Sequence, residues 1–213
     1  MYLPAHFTES DPAARFALIE AYPFASLIVP SRDGLDVTHL PLLLDRPGGD
    51  GMPVLLGHVA RANPIWQGLE AGSAALAIFR GPEHYVSPDW YENTVAVPTW
   101  NYAVVHAHGR ARLMAPDELE PLLVRLSAVH EARLLPKPPW TLDKLPRTMI
   151  DGLKKAIVGF AISVERIDGK FKLSQNRSRA DQDGVVAALD ALDTDAADAL
   201  AASMRAGMER RKA

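Results

Sequence analysis

Apolar and polar residues alternate through much of residues 24–167, and helical spacing replaces that alternation at a few places only. Alternation puts successive side chains on opposite faces of a strand, whereas repeats of three and four mark one face of a helix. Ser10 is expected to cap a helix from about Asp11 to Ala21, with Phe16 and Ile19 inward. Phe24–Val29 reads as a buried strand, and the turn Ser31–Gly34 leads into a second strand, Leu35–Leu44. There Leu40, Leu42 and Leu44 share one face and His39 takes the other. After a loop at Pro47, Gly48 and Gly49, the strand Val54–Val59 runs towards Asn63 and Pro64, the cap and first residue of a short helix to about Leu69. Ala74–Arg80 and His84–Ser87 are expected as two strand segments, separated by Gly81 and Pro82.

The stretch VPTWNYAVVHAHG, Val97 to Gly109, reads as a turn holding Trp100, Asn101 and Tyr102 that feeds a strand to Met114. On that strand Val105, Ala107, Ala111 and Leu113 share one face, with His106, His108, Arg110 and Arg112 opposite. Pro116–Leu134 has the clearest helical pattern, built on Leu119, Leu122, Leu123 and Leu126. Pro136, Pro138 and Pro139 make a connector around Trp140, and a short helical piece precedes a strand from Ile157 to Ile167. Gly169–Gln175 is expected to leave that strand, Ser178 to open a helix, and Thr194 to cap a last one with Ala197, Leu200, Met204 and Met208 on one side. Six or seven strands without regular strand–helix alternation imply a mainly β fold with helices (α+β), an antiparallel barrel with helical decoration rather than a parallel doubly wound sheet.

Composition narrows the chemistry. The 213 residues include no cysteine, which excludes thiolate zinc sites, a cysteine nucleophile and disulfides. The missing signal peptide then points to the cytoplasm, and no apolar run is long enough to span a membrane. Lys plus Arg number 23 against 26 Asp plus Glu, so no bulk attraction to nucleic acid is expected. Arg205, Arg210, Arg211 and Lys212 cluster where the last turn of a helix favours cations.

Four groups carry candidate chemistry. GHVARANP, Gly57 to Pro64, takes a strand through His58 and Arg61 into a helix start at Asn63, which combines a cation with backbone donors and suits an anion. An ordinary capped helix with a surface arginine has the same pattern. His106 and His108 project from one strand face, but no third ligand stands at recognisable spacing, so no metal is expected. Trp100, Asn101 and Tyr102, with Tyr85, Trp90 and Tyr91, offer an apolar wall and fixed polar groups for a flat ligand, or simply close the end of a barrel. Lys172, Ser174, Gln175 and Asn176 form a run of polar groups after a buried strand, which a solvated turn also explains. The chain has no P-loop, dinucleotide fingerprint, HExxH or GxSxG.

Taken together, MYLPAHF, THLPLLL, GHVARANPIW, GPEHYVSPDWY, VPTWNY with VHAHG, IVGFAISVERIDGK and KLSQN resemble the FMN-binding negative transcriptional regulator family, the PaiB-like proteins. VPTWNY and KLSQN are the most specific blocks. The resemblance implies an FMN-binding split barrel over residues 1–177, similar to pyridoxamine phosphate oxidases, with residues 178–213 a helical extension packed on the same domain. It also implies a homodimer with FMN at the subunit interface. The cofactor-binding residues it implies are His39, His58, Arg61, Asn63, Trp100, Asn101, Lys172 and Gln175. His58, Arg61 and Asn63 would hold the phosphate, Trp100 and Asn101 would face the isoalloxazine or ribityl chain, and Lys172 and Gln175 would reach the ring's polar edge. Two functions follow: an FMN-binding regulator acting on DNA or through a protein partner, although no DNA-recognition helix is seen, or a flavin-dependent oxidoreductase. For the second, His39, His106 and His108 make haem a conceivable substrate; no catalytic residue is assigned.

Overall fold

The computed structural model describes residues 1–46, 51–70, 72–92 and 95–211. The expected loop at Pro47, Gly48 and Gly49, and Lys212 of the terminal basic cluster, lie outside the described residues. The elements are β1 (Thr8–Glu9), α1 (Pro12–Ala21), β2 (Phe24–Ser31), β3 (Gly34–Pro41), β4 (Leu43–Asp45), β5 (Val54–Ala60), a 3-10 turn (Pro64–Leu69), β6 (Ser73–Val86) and β7 (Thr99–Leu113). They continue with α2 (Pro116–Glu131), α3 (Arg147–Lys155), β8 (Ile157–Lys172), α4 (Arg179–Asp190) and α5 (Asp195–Arg210).

Hydrogen-bonded strands follow the order β3-β2-β6-β7-β8-β5-β4, with β1 on β8. The registered pairs, such as Leu27 with Thr38 and His58 with Gly159, are antiparallel. The antiparallel α+β class expected from the alternation is therefore what the chain adopts. Among the described residues no helix is long and apolar enough to cross a membrane.

The chain divides into two compact units. One comprises Pro23–Ile78 and Ala107–Ile167. Its core lies on Leu27, Val29, Leu55, Ala77, Phe160 and Ile162, all buried. A second layer forms where Leu119, Leu122 and Leu126 of α2 cover Leu43, Leu56 and Ala161. Glu118 fastens the start of α2 by accepting from the Ala115 amide at 2.8 Å and from Arg112 at 2.7 Å. Both bonds favour the ionised carboxylate and hold it near a pKa of about 2, the arginine contributing most. The strand expected over Leu35–Leu44 is divided, because the Leu42 amide turns to the Pro23 carbonyl at 2.9 Å. As a result Leu43 meets α2 while Leu40 and Leu42 are buried elsewhere in the core.

The other unit comprises Met1–Tyr22, Phe79–His106 and Asp168–Ala213. Asp11, not Ser10, caps α1 by accepting from the Ala13 amide at 2.9 Å, since Pro12 takes the first helical position. Gly81 and Pro82 do not interrupt β6. A β-carbon at Gly81 would stand 3.2 Å from the Ala103 carbonyl, so the glycine lets a neighbouring strand come close. β8 runs past Ile167 to Lys172 because β1 supplies pairing partners, Thr8 for Lys170 and Glu9 for Gly169. Trp100, Asn101 and Tyr102 open β7 itself rather than a preceding turn. Ser178 and Thr194 cap α4 and α5 as expected, and these helices pack through Val185, Leu189, Leu200 and Met204.

Candidate functional site

Each unit contains one of the polar groups singled out by the sequence. In the unit built on Pro23–Ile78 and Ala107–Ile167, β5 delivers His58 and ends at Ala60. Burial lowers the His58 pKa, so the ring is neutral at neutral pH. Its Nδ1 is buried without a hydrogen-bond partner among the described residues. A bare lone pair there costs less than an orphaned N–H, which places the proton on Nε2 and makes that nitrogen the ring's donor.

Asn63 does two things. Its Oδ1 accepts from the Ile65 amide at 3.1 Å and caps the 3-10 turn, while its Nδ2 donates to Thr38 Oγ1 on β3 at 3.2 Å. Next to Thr38, the His39 ring meets Ser26 Oγ on β2 at 3.0 Å through Nδ1. Thr38 and His39 are successive residues of β3 and face opposite ways, so Asn63 is tied to the face of Thr38 while His39 lies on the exposed face with Val37. Arg61 points elsewhere. Its Nε donates to the Lys155 carbonyl at 2.9 Å, its Nη2 to the Ile157 carbonyl at 3.1 Å, and its own amide to the Ala156 carbonyl at 2.8 Å. Arg61 also lines a cleft of about 500 Å³ with Met114, Leu119, Lys154 and Lys155.

In the other unit, Lys172 Nζ donates to Thr99 Oγ1 and, at 2.9 Å, to the Trp100 carbonyl. Its pKa is lowered, first by burial and then by the neighbouring Lys170 charge. Trp100 is 53% exposed and meets Tyr85 edge to face at 6.3 Å. Asn101 is fully buried, and its Nδ2 donates to Ser174 Oγ at 2.9 Å. Gln175 is spent on its own turn: Oε1 accepts from the Leu173 amide at 2.6 Å and Nε2 donates to the Phe171 carbonyl. Of the expected ring contacts, only Trp100 and Lys172 present themselves as a planar wall beside a cation. Ser174, part of the polar run after β8, and the strand residues Thr38 and Thr99 hold these groups in place; a hydroxyl on a strand carries no signal that would have singled out the two threonines.

Comparison with known proteins bears on the fold and the family. Solved structures resembling the chain include the FAD and heme binding protein from Mycobacterium smegmatis, with a TM-score of 0.53 and 16% identity over 78% of this chain and 73% of that one. The flavocytochrome Anf3 from Azotobacter vinelandii gives a TM-score of 0.53 and 15% identity, covering 78% and 69%. The fold is accordingly that of the flavin-binding split barrels, the class that the sequence motifs anticipated. The model of the family described as "Putative FMN-binding domain" matches residues 1–166, and the chain belongs to that family. Protease synthase and sporulation protein PAI 2 of Bacillus subtilis is 35% identical over 187 residues, 87% of each chain.

Proposed function

We propose that the chain is an FMN-binding regulatory protein, resembling the negative transcriptional regulators, that works as a cytoplasmic homodimer. The observation that carries this reading is the family match over residues 1–166. The similar protein named for protease synthase and sporulation supports the regulatory part. The end of β5 suits the phosphate of FMN through the neutral imidazole of His58 and the turn opened by Asn63, with Arg61 bracing the same segment. His39, on the exposed face of β3, is a further contact to the cofactor in this reading. FMN, when bound, supplies reversible redox chemistry. In its own unit, Lys172 beside exposed Trp100 suits the polar edge of a flavin ring. Phe24, Leu35 and Val37 stand exposed on one face of β2 and β3 and suit a subunit interface. Residues 178–213 form the helical extension to the flavin-binding domain of residues 1–177.

Flavin binding is tested by titrating colourless protein with FMN and with riboflavin. Quenched FMN fluorescence and weaker riboflavin binding are expected, and no response to either compound would sink the reading. Light scattering should give the mass of a dimer. A second reading, a flavin-dependent oxidoreductase acting on haem or another small molecule, draws on neighbours named for FAD and heme binding and as a flavocytochrome. Rapid anaerobic bleaching of the bound flavin by NADH or NADPH would favour it.

A further inference from the structure

Two side-chain ties join the start of β7 to the end of β8, and both lie within one unit. Lys172 reaches Thr99 and the Trp100 carbonyl, and Asn101 reaches Ser174. The two most specific sequence blocks, VPTWNY and KLSQN, therefore form a single joint. Ser174 is 3% exposed and has φ of 62°. That left-handed conformation crowds a β-carbon, and serine has no special tolerance for it. Burying an amide and a hydroxyl also costs free energy unless they are bonded. Asn101 meets that need only in part, since Oδ1 has no partner among the described residues. Exchanging the amide's oxygen and nitrogen would keep the bond to Ser174, with the hydroxyl then donating.

A strained, buried and incompletely satisfied pair is a poor stability device, and such strain persists where the geometry it enforces is used. Here it fixes the backbone just beyond Lys172. Leu173 and Gln175 bond within the same turn, the Arg177 amide donates to the Ser174 carbonyl at 3.0 Å, and Ser178 caps α4. The chain beyond Lys172 is thereby locked, and the ammonium stays at Thr99 and Trp100. It bonds to a hydroxyl and a carbonyl, neither of which carries charge. Of the surrounding groups, Lys170 adds like charge, and the Phe7 ring lies 5.9 Å away.

We propose that Asn101 and Ser174 are positioning residues that hold the Lys172 ammonium as a counter-charge for an electron-rich planar ligand, and that Asn101 does not itself touch the ligand. Only the identification of that ligand as a flavin rests on the function proposed above. The pair can be tested without flavin. The uniformly ¹³C,¹⁵N-labelled full-length protein is titrated by NMR through its lysine ¹³Cε shifts, and Lys172 is assigned with Lys172→Arg. Lys172 is expected to lose its proton at lower pH than the other lysines. Ser174→Gly accepts the backbone angle and deletes the hydroxyl, so it folds; it should move the Lys172 midpoint up towards an ordinary lysine. Asn101→Ala should act in the same direction. An unchanged midpoint in folded Ser174→Gly overturns the proposal. In FMN titrations, Ser174→Gly and Lys172→Gln should weaken binding by similar factors, about three- to tenfold. A shifted midpoint with unaltered FMN affinity in both variants would uphold the positioning pair and remove flavin as the ligand of Lys172.

Discussion

Arg61 and Lys172 occupy similar places in the two units. Each follows or ends a long strand, and each precedes a capped helical turn, opened by Asn63 in one case and Ser178 in the other. Their surroundings differ. Arg61 directs Nε and Nη2 at the carbonyls of Lys155 and Ile157, the end of α3 and the start of β8. Those carbonyls sit at the negative end of a helix dipole, which is where a guanidinium is most useful structurally. Lys172 meets only a hydroxyl and one carbonyl in a partly desolvated place, with another lysine close by. A cation on which backbone acceptors converge acts as a brace, and Lys172, with fewer acceptors, is the one proposed to meet a ligand. In GHVARANP the proposed phosphate contact accordingly rests on His58 and the Asn63 turn, with Arg61 as a brace.

Arg61→Ala should break this comparison most directly. Losing two charge-assisted bonds to carbonyls should lower unfolding free energy by about 1–3 kcal/mol, measured by urea denaturation, with FMN and riboflavin affinities falling together. Undiminished stability with loss of FMN binding alone would make Arg61 a phosphate ligand instead. Asn63→Ala should cost about 1 kcal/mol through the lost cap, with a further loss from the broken tie to Thr38. If Asn63→Asp, which can still cap, loses as much stability as alanine, the cap is not what matters.

The smaller effects concern protons. Because the folded Lys172 pKa lies below its ordinary value, the unfolded chain holds that proton more tightly. Stability should therefore rise as pH climbs from the folded value towards 10.5, the ordinary lysine value. Lys172→Met should abolish that rise in thermal melts between pH 8 and 10.5, and a rise that persists would assign it to another group. For His58 the folded pKa also lies below the ordinary 6.5, so stability should fall as pH drops below that value. A phosphate beside the ring would oppose this. NMR titration should show FMN raising the His58 pKa while riboflavin leaves it unmoved; the same response to both would take the phosphate away from His58.

Much of the fold was legible from alternation. The strand at Phe24–Val29 shows period-two burial, those at Val54–Val59 and Ile157–Ile167 were recognisable as short apolar runs buried on both faces, and α2 by its leucine face. The continuity of β6 was hidden because Gly81 and Pro82 are local breakers, and a neighbouring strand overrides them. The extension of β8 to Lys172 was hidden because its partner, β1, lies some 160 residues earlier in the chain. In the site, Asn63 was recognisable as a cap because capping is local. The acceptors of Arg61, 94 and 96 residues away, were not.

Sequence alone determined where most strands and helices lie, the buried faces of the clearest of them, and the flavin-binding family to which the motifs belong. Those properties depend on spacing along the chain and on side-chain polarity, both of which are written locally. Tertiary structure decided what each polar group was for. It put Asn101 in the interior against Ser174, turned Arg61 onto carbonyls and gave Lys172 a hydroxyl and a carbonyl, with no counter-charge among the described residues. Hydrogen bonds act over about 3 Å, so the role of a donor is set by whichever distant segment the fold brings within that reach.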